Sequence, residues 1–173
     1  ANRACLMAIK HNNTIKELTD DSERIAESSR VDRAINNVIK MCETMIGKSR
    51  IELSFEESEK CIAACSTYEL ENILYAIVSC ILKEKSKAGK VSIITSNEEE
   101  NIKIEVKCDG IAWDKSDEFT RVDNRVKTCG GTICVDGGII ISLPRGRSEM
   151  ILRSPMNEKI DVKRVLIELS EVI

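Results

Sequence analysis

Apolar positions along the chain change period several times, and each change marks an element. Ala4, Ala8, His11, Ile15, Leu18, Ser22 and Ile25 recur at alternating steps of four and three, the spacing of a coiled-coil seam. Lys16, Glu17, Asp20 and Glu23 fall off that seam. So narrow a stripe cannot bury itself. It predicts a helix that pairs with another, from a second chain or from sequence upstream. Val31, Ile35, Val38, Ile39, Cys42 and Ile46 share one broad face and predict a second helix, with Gly47 as its stop. Ile51, Leu53 and Phe55 then alternate with polar residues in the period of a half-buried strand, and Cys61 to Cys65 reads as a short strand.

The strongest helix signal begins at Ser66. Ser66 and Glu69 have capping-box spacing, and Leu70, Ile73, Leu74, Ile77, Val78 and Ile81 form a wide apolar face behind them. Ala88-Gly89 interrupts this pattern. Two strands follow, Val91 to Thr95 and Ile102 to Cys108, the second alternating cleanly through Ile102, Ile104, Val106 and Cys108. A helix is predicted from about Glu118 to Thr128, ended by Gly130-Gly131. Thr132 to Val135 and Ile139 to Leu143 then read as a hairpin about Asp136-Gly137.

Beyond Pro144 come a basic link, Arg145-Gly146-Arg147, a strand at Met150 to Leu152, and a helix carrying Val162, Val165, Leu166, Leu169 and Ile173. Pairs of strands separated by helices predict an α+β fold, a two-layer α/β sandwich whose mixed sheet is covered by helices. Three regions result: a dimerisation-type helix over 1–29, the domain proper over 30–144, and a C-terminal extension with a helix over 145–173.

Composition narrows the function. A length of 173 residues suits one domain with a short appendage. A net charge of −3, cations interleaved with acids and 3% aromatic residues argue against a grip on nucleic acid. No apolar run reaches membrane-spanning length, so no membrane contact is expected of these residues. Eight cysteines are present, at 5, 42, 61, 65, 80, 108, 129 and 134. Most fall inside apolar helix or strand patterns, where a free thiol behaves as a small hydrophobe. No pair has the two-residue spacing of a zinc ribbon or thioredoxin site, and Cys61 with Cys65, or Cys129 with Cys134, is a looser spacing. Reduced core thiols in a cytoplasmic compartment are the reading that follows.

Four junctions carry a resemblance. Val31-Asp32 opens a helix, and Tyr68-Glu-Leu-Glu-Asn-Ile-Leu-Tyr-Ala-Ile-Val-Ser-Cys-Ile-Leu-Lys83 forms another. Val106-Lys-Cys-Asp-Gly-Ile-Ala-Trp113 makes a strand-to-loop turn, and Lys127-Thr-Cys-Gly-Gly-Thr-Ile-Cys-Val135 runs on to Ile141-Ser-Leu-Pro144. In this order they resemble the ATP-binding domain of sensor histidine kinases, of the gyrase, heat-shock chaperone, histidine kinase and MutL ATPase superfamily. The resemblance covers roughly Ser29 to Pro144 and implies a Bergerat-like fold. It places the nucleotide pocket at Ser79, Cys80, Lys83, Cys108, Asp109, Gly110 and Ala112.

Position by position, that pocket departs from the family. The family's magnesium-binding asparagine falls at Cys80, and an earlier asparagine falls at Ala76. Magnesium wants hard oxygen ligands, which a thiol does not supply. Ser79 takes the place before the asparagine, while Lys83 matches a family lysine. The adenine-reading aspartate falls at Cys108, with Asp109 beside it on the opposite side of a strand. Gly110 is retained, the second family glycine is Ala112, and Trp113 follows. The family's long lid shrinks to about Asp114 to Glu118, and no glycine lies between Gly110 and Gly130 to bring backbone N–H groups to phosphate. Ser116-Asp-Glu-Phe119 adds negative charge there.

The resemblance therefore implies a vestigial pocket, with no catalytic residue, no metal and no kinase turnover; ATP and magnesium enter only if the altered site still binds them. The expected protein is a two-component signalling component that acts as a dimeric signalling or docking module. It would form a homodimer through its first helix and have a response regulator or other signalling protein as partner. Two alternatives stand beside it: a phosphotransferase resembling the sporulation type, and an active sensor histidine kinase with divergent ATP binding. His11 reads as a seam residue that sets register rather than as a phosphoacceptor. Cys80 and Cys108 are small apolar fillers of the pocket, or a thiol pair open to an oxidant or a soft metal.

Overall fold

The computed structural model describes residues 7–9, 27–85, 88–113, 117–151 and 161–172. Residues 7–9 are helical and include Ala8, whereas Ala4, His11, Ile15, Leu18, Ser22 and Ile25 of the expected seam lie outside the described residues. Ser29–Arg30 (β1) is a two-residue strand that the sequence pattern does not announce. Val31–Met45 (α1) follows at once, burying Val31, Ala34, Ile35, Val38, Met41 and Cys42 along one stripe. Ile51–Glu57 (β2) alternates as predicted, and Ile62–Ala63 (β3) pairs antiparallel with β1.

Thr67–Glu84 (α2) starts where its signal lies. The Ser66 hydroxyl accepts from the Glu69 N–H at 3.1 Å, and the Glu69 carboxylate accepts from the Ser66 N–H at 3.0 Å. That reciprocal cap satisfies two N–H groups left over at the helix start. Every residue from Leu70 to Leu82 is buried. The apolar face predicted for α2 is thus only part of its contact surface, and its polar side is covered as well.

Gly89–Asn97 (β4), Asn101–Lys107 (β5), Asp117–Thr128 (α3), Thr132–Val135 (β6) and Ile139–Pro144 (β7) complete the domain. The five longer strands form one sheet in the order β2-β4-β5-β7-β6. β2 runs parallel to β4, and the other pairings are antiparallel. The register sets Leu53 beside Val91, Ile93 beside Val106 and Ile104 beside Ile141. One face of the sheet is therefore apolar and buried, continuous with the helices in a single core. The other face carries Glu52, Ser54, Lys103 and Glu105, so the fold is the expected mixed sheet under helices. At Gly131 a Cβ would lie 2.4 Å from the Ser142 carbonyl oxygen, so only glycine lets the chain come this close to β7.

The extension departs from expectation. Of the strand predicted at Met150 to Leu152, Met150 instead ends a single 3-10 turn over Ser148–Met150, its N–H on the Arg147 carbonyl at 3.0 Å, and Leu152 lies outside the described residues. Ile151 makes an isolated parallel bridge to Ser28. Val162–Glu168 (α4) forms the predicted helix, with Asp161 as its N-cap. Val165 and Leu169 join the core, while Val162, expected on the same face, is exposed. Ile173 lies outside the described residues.

Candidate functional site

The helical period of α2 puts Ala76, Ser79, Cys80 and Lys83, at steps of three and four, along one side of the helix. These are the pocket positions of the resemblance, and the C-terminal segment lies upon them. Ser79 donates its hydroxyl to the backbone carbonyl of Glu168 at 3.3 Å. Lys83 forms ion pairs with Glu118 of α3 at 2.9 Å and with Glu171, three residues past α4. Ala76 and Cys80 are buried beneath this contact layer. Arg50, just before β2, donates to the Val172 carbonyl at 2.7 Å and ties down the end of the segment.

Charge is gathered here. The Glu168 carboxylate accepts from Arg121 at 3.0 Å and from Arg125 at 3.2 and 3.3 Å. Arg125 also donates to the Asn72 carbonyl at 2.6 Å, which joins α3 to the middle of α2. Arg164 pairs with Glu71 and lies over the Tyr68 ring at 4.7 Å, and Asn37 of α1 donates to the same Glu71 at 2.8 Å. Cations and carboxylates are matched across three helices, which is how charged groups tolerate removal from water. Burial disfavours the Lys83 ammonium, but its bonds to Glu171 and Glu118 outweigh that and hold its pKa above the ordinary lysine value.

Past β5 the chain turns through Cys108, Asp109, Gly110 and Ala112. Cys108 is buried and Asp109 exposed, so the two residues face opposite sides. The Cys108 thiol lies 3.9 Å from the Ala88 carbonyl, and burial pushes its pKa up while nearby Lys85 pulls the other way. Lys85 donates to the Asp109 carbonyl, closing the turn against the end of α2. Trp113 is buried in the core.

Several residues of this site carry no mark in the sequence pattern. Glu118, expected as surplus negative charge, is withdrawn from water and paired with Lys83. Arg121 and Arg125 stand four apart on α3 and so share a helical face, while Glu168 ends α4 and Glu171 follows three residues on in a turn. The spacing of the two arginines is the signal that the sequence offers for this cluster. Among the cysteines, the thiol brought against Cys65 is that of Cys129; this contact and burial raise the Cys65 pKa. Cys42 is raised to about 12 by burial. Among the described residues no group of three or more His, Cys, Asp or Glu could hold a metal ion, and no helix is long and apolar enough to cross a membrane.

No family model and no curated protein matches this sequence. Solved structures do. The histidine kinase AdeS of Acinetobacter baumannii superposes with a TM-score of 0.64 at 14% identity, over 81% of this chain and 77% of that one. The ATP binding domain of PrrB from Mycobacterium tuberculosis gives 0.60 at 14% identity, over 74% of this chain and 100% of that one. The histidine kinase ThkA, in a complex with the response regulator protein TrrA, gives 0.59 at 16% identity, over 80% of this chain and 48% of that one. Element order, sheet topology and these superpositions together give the chain the fold of the histidine kinase ATP-binding catalytic domain.

Proposed function

We propose that this chain is a two-component signalling module whose nucleotide site is eroded, working by docking rather than by phosphoryl transfer. The observation that carries the reading is the C-terminal segment seated on α2, where Glu168 and Glu171 engage Ser79 and Lys83. The residues beneath do not fit magnesium. Cys80 and Ala76, both buried, offer a thiol and a methyl group where hard oxygen ligands are needed. Isothermal calorimetry with magnesium and ATP is the direct test. No heat of binding is expected at micromolar protein and ligand, and a saturating micromolar isotherm would restore the reading of an active kinase.

The partner follows from the same reading. ThkA is solved with a response regulator, and a protein of that class is the partner proposed for this chain. The proposed dimer rests on the heptad spacing of Ala4 to Ile25. Sedimentation equilibrium should give twice the chain mass, and Leu18→Asp should give the single mass. A monomeric parent chain would remove the dimer from the proposal and leave the domain reading in place.

A further inference from the structure

Away from α2, the link after β7 is held residue by residue against the β4–β5 turn and the small sheet. The Arg145 N–H donates to the Glu100 carbonyl at 3.0 Å, and Arg145 bridges Ala63 across the edge. The Gly146 N–H donates to the Ile62 carbonyl at 2.8 Å, and the Arg147 N–H to the Ser28 hydroxyl at 3.1 Å. Arg147 has an extended backbone, φ −110° and ψ 134°. In such a segment side chains two apart point to the same side, so Arg145 and Arg147 share a face. Gly146 between them is fixed by contact, since a Cβ there would lie 2.5 Å from the Ala63 carbonyl oxygen. The positions from which the two arginine side chains leave the chain are thus set by a fixed backbone.

Both arginines, with Lys60 from the turn before β3, line an open cleft of about 480 Å3 whose rim also carries Glu149. Among the described residues none of the three cations makes a salt bridge. This differs from the α2–α4 face, where cations and carboxylates are matched. Three cations and one carboxylate leave the cleft with a charge of +2 (3 − 1), in a chain whose net charge is −3.

We propose that this cleft is a recognition site for a phosphate-type dianion. A doubly charged oxyanion neutralises the surplus, whereas a lone carboxylate leaves half of it. Guanidinium forks match phosphate oxygens bidentately, and the fixed backbone reduces the ordering lost on binding. The cleft opens to solvent, so the phosphate can be free or borne by a larger molecule. No bond is made or broken there. Because the cations are exposed, binding should weaken as salt rises.

Amide-resolved NMR of the intact chain, titrated with inorganic phosphate at constant ionic strength, tests the site. Saturable shifts are expected at Ile62, Gly146 and Arg147, with acetate producing none. R145Q/R147Q should weaken the midpoint by about tenfold or more through loss of the paired forks. R145K/R147K keeps the charge and should recover only part of it; distant amides unchanged in both variants show that the fold survives. A phosphoserine peptide that saturates at least tenfold lower than inorganic phosphate assigns the site to a phosphorylated protein, and equal midpoints assign it to free phosphate. Shifts that do not saturate, that acetate reproduces, or that persist in R145Q/R147Q overturn the proposal.

Discussion

Arg125 on α3 and Glu168 on α4 hold each other through two hydrogen bonds, at 3.2 and 3.3 Å, with both side chains withdrawn from water. Arg121 reaches the same carboxylate at 3.0 Å. One acid therefore answers two guanidinium groups, one buried and one mostly buried. Glu168→Ala leaves both without it, and breaking a buried pair in this way costs about 3–5 kcal/mol. Glu168→Gln, which keeps a hydrogen-bond acceptor, should cost less. Urea denaturation of both variants checks the order, and a Glu168→Ala midpoint equal to that of the parent chain contradicts the role given to this contact.

Alkali should weaken the fold before acid chemistry of these groups matters. Burial raises the Cys42 thiol from 9.0 to about 12, and ion pairs hold Lys83 above its ordinary 10.5. A raised folded-state pKa means that the folded chain keeps a proton which the unfolded chain releases. The Cys42 contribution is whole below pH 9.0 and is lost as pH climbs toward 12; that of Lys83 begins to fall only above 10.5. For Cys42 stability should drop by roughly 1.4 kcal/mol per pH unit within its window, and for the solvent-screened Lys83 the drop should be smaller. Denaturation midpoints measured between about pH 8 and 11 should show this slope, and Cys42→Ala should flatten its first part. An unchanged slope in Cys42→Ala would assign the alkaline loss to other groups, such as the raised thiols of Cys61 and Cys65.

Much of the fold is legible in the sequence because local rules act alone there. The Ser66–Glu69 cap, the alternation in β5 and the turn between β6 and β7 depend on neighbours in the chain, and each appears where the pattern puts it. What escaped depends on distant partners. β1 is two residues long and exists only because β3 is beside it. Glu118 looks like surface charge until Lys83, 35 positions earlier, is placed against it. Val162 sits at the right spacing for the core, yet as the first residue of α4 it stays in water. The extension was legible as a helix and illegible as a cover for α2. Periodicity states which face is apolar and never which surface will meet it.

Under the proposed reading two physical causes would keep nucleotide off α2, and one deletion separates them. The first is cover: Val165, Leu169 and Val172 are buried in the core and Glu171 holds Lys83, so residues 161–172 occupy the ground over Ser79. The second is chemistry: Cys80 and Ala76 supply no oxygen ligand. Removing everything after Met150 takes away the cover and leaves the chemistry unaltered. The shortened chain should lose stability by several kcal/mol, since three buried aliphatic side chains contribute on the order of 1.5–3 kcal/mol each. Circular dichroism fixes the temperature at which it stays folded, and calorimetry with magnesium and ATP at that temperature gives the answer. Absent binding in the folded, shortened chain means that the lost ligands are the cause. Binding that appears only after the deletion would make the C-terminal segment the barrier, and the site beneath it intact in function despite Cys80.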